Sequence, residues 1–382
     1  MKIVLCDNRL GGLLGFRGDV INHLIKQGHK VTLVAPPAKT DWDNIGRDNI
    51  IDVNIKYINM QPNGLNPISD MLLFFQYFSL FRKEKPDLVI NYTIKPNIYS
   101  SIAANMNNCK TICMVAGLGY MFNGNSILKR IGRWLYKMGL GKSINVFTLN
   151  KENYHTLIQQ KIVEPEKLIL LQGGEGVNLL KYKFTNSDFS SRTTFLMISR
   201  ILYDKGYKEF VEAAKTIKQK YKDAVSFELL GPLAYDSPMG VKKEEFETDI
   251  NSGYFTYLGV TRNVSSFLGR KDIVMVLPSY YHEGLNRSLM EACAMGRPII
   301  ASNISGCKET VKEGEDVSLV EPKFSESLVN KIEAFLKLEE AKKREMGIES
   351  RKIAEMQFDV KFVIDEYEKI ITKCKRSQGC IL

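Results

Sequence analysis

Short runs of β-branched and aliphatic residues alternate along this chain with amphipathic stretches, the pattern of parallel strands wrapped by helices. In the first half the spacing predicts strands at 2–7, 30–36, 53–60, 87–92, 111–117, 145–150 and 167–174. Between the first two, GDVINHLIKQG places apolar residues at 20, 21, 24 and 25 and stops at Gly28, so a helix is expected over 18–28. The polar stretch NLLKYKFTNSDFSSR at 178–192 reads as a connection. The alternation then restarts, with strands expected at 193–200, 225–232, 254–259, 273–278, 298–303 and 317–322, and a helical pattern over 323–373. Two such series predict two doubly wound α/β domains, 1–178 and 179–355. The final segment, 356–382, is expected to be a helix packing back on the first domain. Ligands of such folds bind beyond the C-terminal ends of the strands.

Composition agrees with that division. The 382 residues suit two domains of ~150 residues each, and 44% apolar with 25% charged residues excludes a disordered chain. Net charge is +10, which favours an anionic partner: nucleic acid, nucleotide, phospholipid or acidic polymer. The charge is dispersed and lacks a basic-aromatic or helix-turn-helix motif, so nucleic acid is set aside. The seven cysteines, at 6, 109, 113, 293, 307, 374 and 380, form no zinc-type spacing and read as reduced cytoplasmic thiols. The longest apolar runs, 71–81 and 271–278, fall well short of the ~20 residues of a membrane span, and the N-terminus lacks the apolar stretch of a signal peptide. A cytoplasmic protein is expected, at most peripheral on a membrane.

Candidate chemistry concentrates at 278–309, PSYYHEGLNRSLMEACAMGRPIIASNISGCKE. Glu283 falls in the loop after a strand, and Glu291, eight residues on, falls on a helix starting near Asn286. Carboxylates so placed can each accept paired hydroxyls without a buried countercharge, and the loop and helix start offer backbone amides to an anion. By themselves the two glutamates read more readily as solvated helix-start residues, and only their context reverses that. GGLLGF, at 11–16, carries glycines at 11, 12 and 15 and so does not match the dinucleotide spacing G-x-G-x-x-G; a flexible loop that lets backbone approach a ligand is expected at Gly11, Gly12 and Gly15. The stretch 129–143 is basic and amphipathic, with Ile131, Trp134, Leu135 and Met138 against Lys129, Arg130, Arg133 and Lys137. It reads either as a helix lying on an anionic membrane or as a packed helix with a solvated basic face.

The block EGLNRSLMEACAMGRPIIAS resembles the E-x7-E block of retaining, nucleotide-sugar-dependent glycosyltransferases of family four, whose GT-B architecture sets two Rossmann-like domains facing across a cleft. The resemblance spans nearly the whole chain, through GGLLGFRGDVINHLIKQGHKV, GGEGVNLLKY, ISRILYDKGYKEFVEA, TYLGV and QFDVKFVIDEYEKII. NYTIKPNIYSSIAAN and VAGLGYMF resemble the bacterial branch that builds capsule, O-antigen or glycan chains on polyprenyl-diphosphate carriers.

The resemblance implies an acceptor-binding first domain and a donor-binding second one. It implies that Glu291 takes the ribose hydroxyls and Glu283 a hydroxyl of the donor sugar. Asn286, Arg287 and Ser288 would contact the diphosphate or sugar, with Gly231 and Gly259 also on the donor side. Arg200 and Lys205 match the family's phosphate-binding pair; two fixed cations would neutralise the departing diphosphate without a metal. Arg17 and Lys95 are the candidates for the acceptor's phosphates. The implied reaction moves a hexose or N-acetylhexosamine from a UDP-sugar to a lipid-linked saccharide, with retention and with no cofactor, at the inner face of the plasma membrane. A non-hydrolysing UDP-sugar epimerase shares the architecture, but the E-x7-E block argues against it. One departure stands out: the segment MVAGLGYM has no histidine or acid where many members carry a histidine, so no side-chain base is evident. The leaving phosphate would then take the acceptor's proton.

Overall fold

The computed structural model of the chain describes residues 1–38, 53–61, 66–118, 127–171, 173–281, 284–312 and 318–379. The chain divides into two compact units, residues 1–175 with 360–382, and residues 176–359.

In the first unit, β1 (Lys2–Cys6), β2 (Lys30–Ala35), β3 (Asn54–Tyr57), β4 (Leu88–Tyr92), β5 (Lys110–Val115), β6 (Asn145–Thr148) and β7 (Leu168–Leu170) form one parallel sheet, ordered β3-β2-β1-β4-β5-β6-β7. Its helices are α1 (Leu10–Phe16), α2 (Gly18–Lys26), α3 (Pro67–Glu84), α4 (Ser101–Met106), α5 (Ile127–Gly141) and α6 (Lys151–Gln159). Alternation along β1 sends Ile3 and Leu5 into a core with α1 and α2, and Val4 and Cys6 into a core beneath α3 and α4. Both faces are buried, which is why these strands read as near-continuous apolar runs.

Residues 11–16 depart from the sequence reading. They belong to helix α1 and not to a flexible loop. Leu10, Leu13 and Leu14 fall at i, i+3 and i+4 and are all buried, and this apolar face outweighs the ~1 kcal/mol that each helical glycine loses relative to alanine. Gly12 has a packing reason of its own: a Cβ there would stand 2.9 Å from the Asp7 carboxylate.

In the second unit, β8 (Thr193–Ile198), β9 (Val225–Leu230), β10 (Thr256–Tyr257), β11 (Ile273–Leu277), β12 (Ile299–Ser302) and β13 (Leu319–Val320) form a parallel sheet ordered β10-β9-β8-β11-β12-β13. Around it lie α7 (Tyr207–Tyr221), α8 (Lys243–Asn251), α9 (Val264–Leu268), α10 (Arg287–Ala294), α11 (Ser325–Lys337) and α12 (Glu340–Ile353). Phe195 and Phe227, opposite each other on β8 and β9, hold their rings 5.0 Å apart, and Phe210 of α7 meets Phe227 edge-on at 5.6 Å.

The stretch 178–192 is part of this unit and not a free connection. Tyr182 and Phe189 are buried in its core, and Phe189 meets Phe335 edge-on at 5.4 Å. Two aromatic anchors seven residues apart were masked by the polar sequence around them. The chain returns to the first unit as α13 (Val360–Gly379), where Val363, Tyr367, Ile370 and Ile371 enter the core beside α2. Tyr367 and Tyr92 join their hydroxyls at 3.0 Å, and His23 meets Glu368 at 2.7 Å.

Candidate active site

Strand order reverses between β8 and β11, so the loops leaving these strands frame a crevice at a topological switch point. The chain leaves β8 through Arg200 and then makes a 3₁₀ turn at Tyr203–Lys205. Gly206 ends that turn at φ 85°, and a Cβ on it would lie 2.3 Å from the Pro278 carbonyl oxygen. Only glycine allows both the conformation and the approach. The turn is thereby pressed against the exit of β11, where the Asp204 carbonyl accepts from the Tyr280 amide at 2.9 Å and the Tyr281 amide at 3.1 Å.

Lys205 is buried, with its Nζ 4.6 Å from the centre of the Tyr281 ring. Burial first, and the Arg200 guanidinium second, push its pKa down to about 8. Arg200 itself is exposed. Asp204 is buried, with an Oδ1 that has no hydrogen-bond partner; burial raises its carboxyl pKa against the pull of Lys205 and Arg200. A buried ammonium facing a second cation is electrostatically strained, and an anionic ligand relieves that strain.

Helix α10 starts at the same place. Asn286 caps it, its Oδ1 accepting from the Leu289 amide at 3.2 Å, and its own amide donates to the Gly306 carbonyl at 3.1 Å. The Ser288 hydroxyl lies 2.8 Å from the Ile198 carbonyl and 2.8 Å from Asn286 Oδ1; its single proton is shared between them, and it ties the first turn of α10 to the end of β8. Glu291 is nearly buried one turn further on. Arg287 Nε and the Tyr182 hydroxyl each donate to its Oε1 at 2.8 Å, so Oε2 is the oxygen that a ligand hydroxyl would reach. The expectation of a carboxylate without a buried countercharge is therefore corrected: Arg287 supplies one.

The structure separates the sequence candidates into groups. Arg200, Lys205 and Ser288 lie at the exit of β8, and Glu291 follows Ser288 along α10. The hydrogen bonds of Asn286 and Ser288 hold α10 in place, and the Arg287 guanidinium is occupied by Glu291 and by the Gly176 carbonyl, to which its Nη1 donates. Gly231 serves the backbone: at φ 148°, a Cβ would lie 1.8 Å from the Ser199 carbonyl, and its amide donates to Gly259 at 2.8 Å. Glu283 and its neighbour His282 lie outside the described residues.

In the first unit both basic candidates are already paired. Arg17 is buried, in ion pairs with Asp7 at 3.5 Å and with Glu175; it donates to the Gly12 carbonyl at 3.0 Å and lies 4.5 Å over the Tyr92 ring. Lys95 meets Asp70 at 2.6 Å, and Asp70 also accepts from the Tyr99 hydroxyl at 3.0 Å. Neither presents an unneutralised charge to an acceptor phosphate in this conformation. Burial lifts the Asp7 carboxyl to about 6, partly offset by Arg17. Motif reading missed Tyr182 as a partner of Glu291 and Asp204 beside Lys205 in the second unit, and Asp7 and Glu175 as the partners of Arg17 in the first. Tyr182 lies 109 residues before its partner, and no local pattern marks that contact.

Residues 181–353 match the family described as glycosyl transferases group 1, and residues 15–150 match glycosyl transferase 4-like. A Campylobacter jejuni protein, N,N'-diacetylbacillosaminyl-diphospho-undecaprenol alpha-1,3-N-acetylgalactosaminyltransferase, is 25% identical over 97% of this chain and 98% of its own length. An Escherichia coli protein, UDP-Gal:alpha-D-GlcNAc-diphosphoundecaprenol alpha-1,3-galactosyltransferase, is 26% identical over 70% of each chain. Among solved structures, Anabaena HepE in complex with UDP-glucose aligns with TM-score 0.78 at 18% identity, over 98% of this chain and 100% of that one. The Campylobacter and Escherichia relatives transfer sugars, which favours transfer over the epimerase alternative, and the fold shared with HepE is the two-domain α/β arrangement of GT-B enzymes. With one family match in each of its two units and a sugar-transferring relative along nearly its whole length, the chain is a glycosyltransferase that carries a glycosyltransferase 4-like domain in its first unit and a group 1 glycosyl transferase domain in its second.

Proposed function

We propose that this glycosyltransferase moves a hexose or N-acetylhexosamine from a UDP-sugar to an undecaprenyl-diphosphate-linked saccharide, with retention at the anomeric carbon. The observation that carries the reading is the assembly at one switch point of buried Lys205, exposed Arg200 and the fixed carboxylate of Glu291. In this reading Glu291 takes the ribose diol, and the two cations stabilise the diphosphate as its bond to the sugar breaks, so no metal or cofactor is required. The acceptor hydroxyl attacks the anomeric carbon, and its proton goes to the departing phosphate oxygen. Glu283 holds a hydroxyl of the donor sugar. The acceptor belongs to the first unit.

The names of the Campylobacter and Escherichia relatives support the lipid-diphosphate acceptor, and the UDP donor is supported by the Escherichia name and by the HepE complex. Among the described residues no helix is long and apolar enough to cross a membrane, so the acceptor is to be met at the membrane surface. The first unit has a surface suited to this. Ile127, Ile131, Trp134 and Met138 form one exposed stripe on α5, with Trp134 59% exposed, and exposed Arg130 and Lys137 flank them. The packed side of α5 is the other one, with Tyr136 and Leu140 in the core. In the same layer, α3 turns Ile68, Met71, Leu72 and Phe75 outward. Apolar stripes bordered by basic residues match an anionic lipid face.

Thermal unfolding against UDP, GDP, ADP and their sugars tests the donor. A nucleotide at 100 times its Kd adds about 2.7 kcal/mol to the folded state. UDP and UDP-sugars are expected to raise the midpoint, and a rise with GDP or ADP alone contradicts the assignment.

A further inference from the structure

One guanidinium joins the donor site to the place where the chain passes between units. The chain leaves the first unit at Glu175 and enters the second at Gly176. The glycines on either side of Glu175 have positive φ, 59° at Gly174 and 70° at Gly176. Two left-handed residues out of three make a bend that glycine adopts freely and that side chains resist. Beyond the bend, the Val177 amide donates to the Phe358 carbonyl at 2.6 Å, so the outgoing and returning segments are bonded to each other within the second unit. Arg287 Nη1 donates to the Gly176 carbonyl while its Nε donates to Glu291 at 2.8 Å. The side chains of Arg287 and Glu291 are 18% and 10% exposed, which shields the pair from competing water.

Resting on the donor reading above, we propose that Arg287 is a positioning residue: it ties the carboxylate assigned to the ribose to the backbone at the crossing, so that nucleotide binding and the conformation of residues 174–177 are coupled. The guanidinium is a planar, rigid fork, and here two of its nitrogens serve two different partners. Glu291 cannot swing without turning Arg287, and Arg287 cannot turn without releasing the Gly176 carbonyl. A ribose diol bound to Glu291 holds the carboxylate still and therefore holds the crossing. By linkage, a held crossing strengthens nucleotide binding by the same factor. Lysine cannot substitute, because one ammonium on a flexible stem does not span both partners in fixed geometry.

Hydrogen exchange on the full chain, with and without saturating UDP, tests the coupling by following residues 173–181 against residues 196–206. In the wild type, UDP is expected to slow exchange in both segments, by about tenfold at the crossing, within the range of coupled sites. In Arg287→Gln at saturating UDP, protection of 196–206 is expected to remain and protection of 173–181 to vanish. Arg287→Lys keeps a cation beside Glu291 but does not span both partners, so its donor KM is expected to stay about tenfold above the wild-type value, as in Arg287→Gln, a loss of binding that general destabilisation of the fold does not produce. Wild-type protection of 173–181 in Arg287→Gln overturns the coupling. Glu291→Gln separates the two ideas. If it binds UDP as the wild type does, the donor reading fails and the coupling with it. If it loses UDP while Arg287→Gln keeps full protection at the crossing, only the coupling fails.

Discussion

Gly206 and Pro278 approach backbone to backbone, so closely that an added Cβ on Gly206 would stand 2.3 Å from the proline carbonyl oxygen. This contact fixes the Tyr203–Lys205 turn against the exit of β11 and so sets where Lys205 lies. Gly206→Ala combines a left-handed φ of 85° with that clash. The expected loss of stability is about 2–4 kcal/mol, the sum of a strained conformation and overpacking. Denaturant unfolding reads it as a lower midpoint with an unchanged slope, and a wild-type midpoint counts against the packing described.

The depressed Lys205 pKa predicts a pH dependence with a definite sign. In the proposed reaction its working form is the cation, and burial with the nearby Arg200 pushes its pKa down to about 8. Donor kcat/KM is therefore expected to fall as pH rises through that value, because this parameter reports the free enzyme. In the kcat profile the same limb should move to higher pH, since a bound diphosphate favours the ammonium. Lys205→Arg should remove the limb. A flat kcat/KM profile between pH 7 and about 9, around an ordinary lysine pKa of ~10.4, contradicts the assignment.

Arg297 illustrates a buried charge used for architecture. It is 0% exposed; its guanidinium donates to the Arg270 carbonyl at 2.8 Å, the Thr185 hydroxyl at 2.6 Å and the Met295 carbonyl at 2.8 Å, and burial pushes its pKa down to about 10. These bonds fasten the 178–192 segment to the unit. Arg297→Ala removes the donors to the part-buried Arg270 carbonyl and Thr185 hydroxyl and is expected to cost about 1–3 kcal/mol, the scale of an unsatisfied group. Calorimetry on the variant checks this, and an unchanged unfolding temperature would refute it.

The outward stripe of α5 predicts reversible attachment to anionic lipid. Each basic residue near the surface contributes about 1 kcal/mol, so charge reversal at Lys129, Arg130, Arg133 and Lys137 together should abolish co-sedimentation with phosphatidylserine vesicles at low salt. UDP binding should be unaffected. High salt should release the wild type, because exposed charges are screened beyond about 8–10 Å at physiological ionic strength. Wild-type protein that ignores such vesicles at low salt disproves the membrane role.

How much of this was legible in the chain depends on the range of the interaction. The strands of both sheets stand out because burial on two faces writes continuous apolar runs, as in Ile273–Leu277, and the Lys205 turn stands out because Gly206 punctuates it. Short-range rules misread Leu10–Phe16, where three buried leucines outweigh three glycines. They also misread 178–192, where Tyr182 and Phe189 are held by partners more than a hundred residues away. The occupation of Arg17 by Asp7 and Glu175 is of the same kind. Charge identifies a cation in a sequence; only the fold shows whether its charge is already neutralised.

Incubating the purified chain with a panel of UDP-sugars and an undecaprenyl-diphosphate-linked saccharide, in EDTA, and reading the product's anomeric configuration by NMR tests the proposed transfer. A lipid-linked product with the donor's configuration retained is expected. Arg200→Ala is expected to lower turnover by about 10²-fold, the scale of one lost preorganised contact. An inverted product, or complete loss of activity in EDTA that magnesium restores, would contradict the proposed transfer.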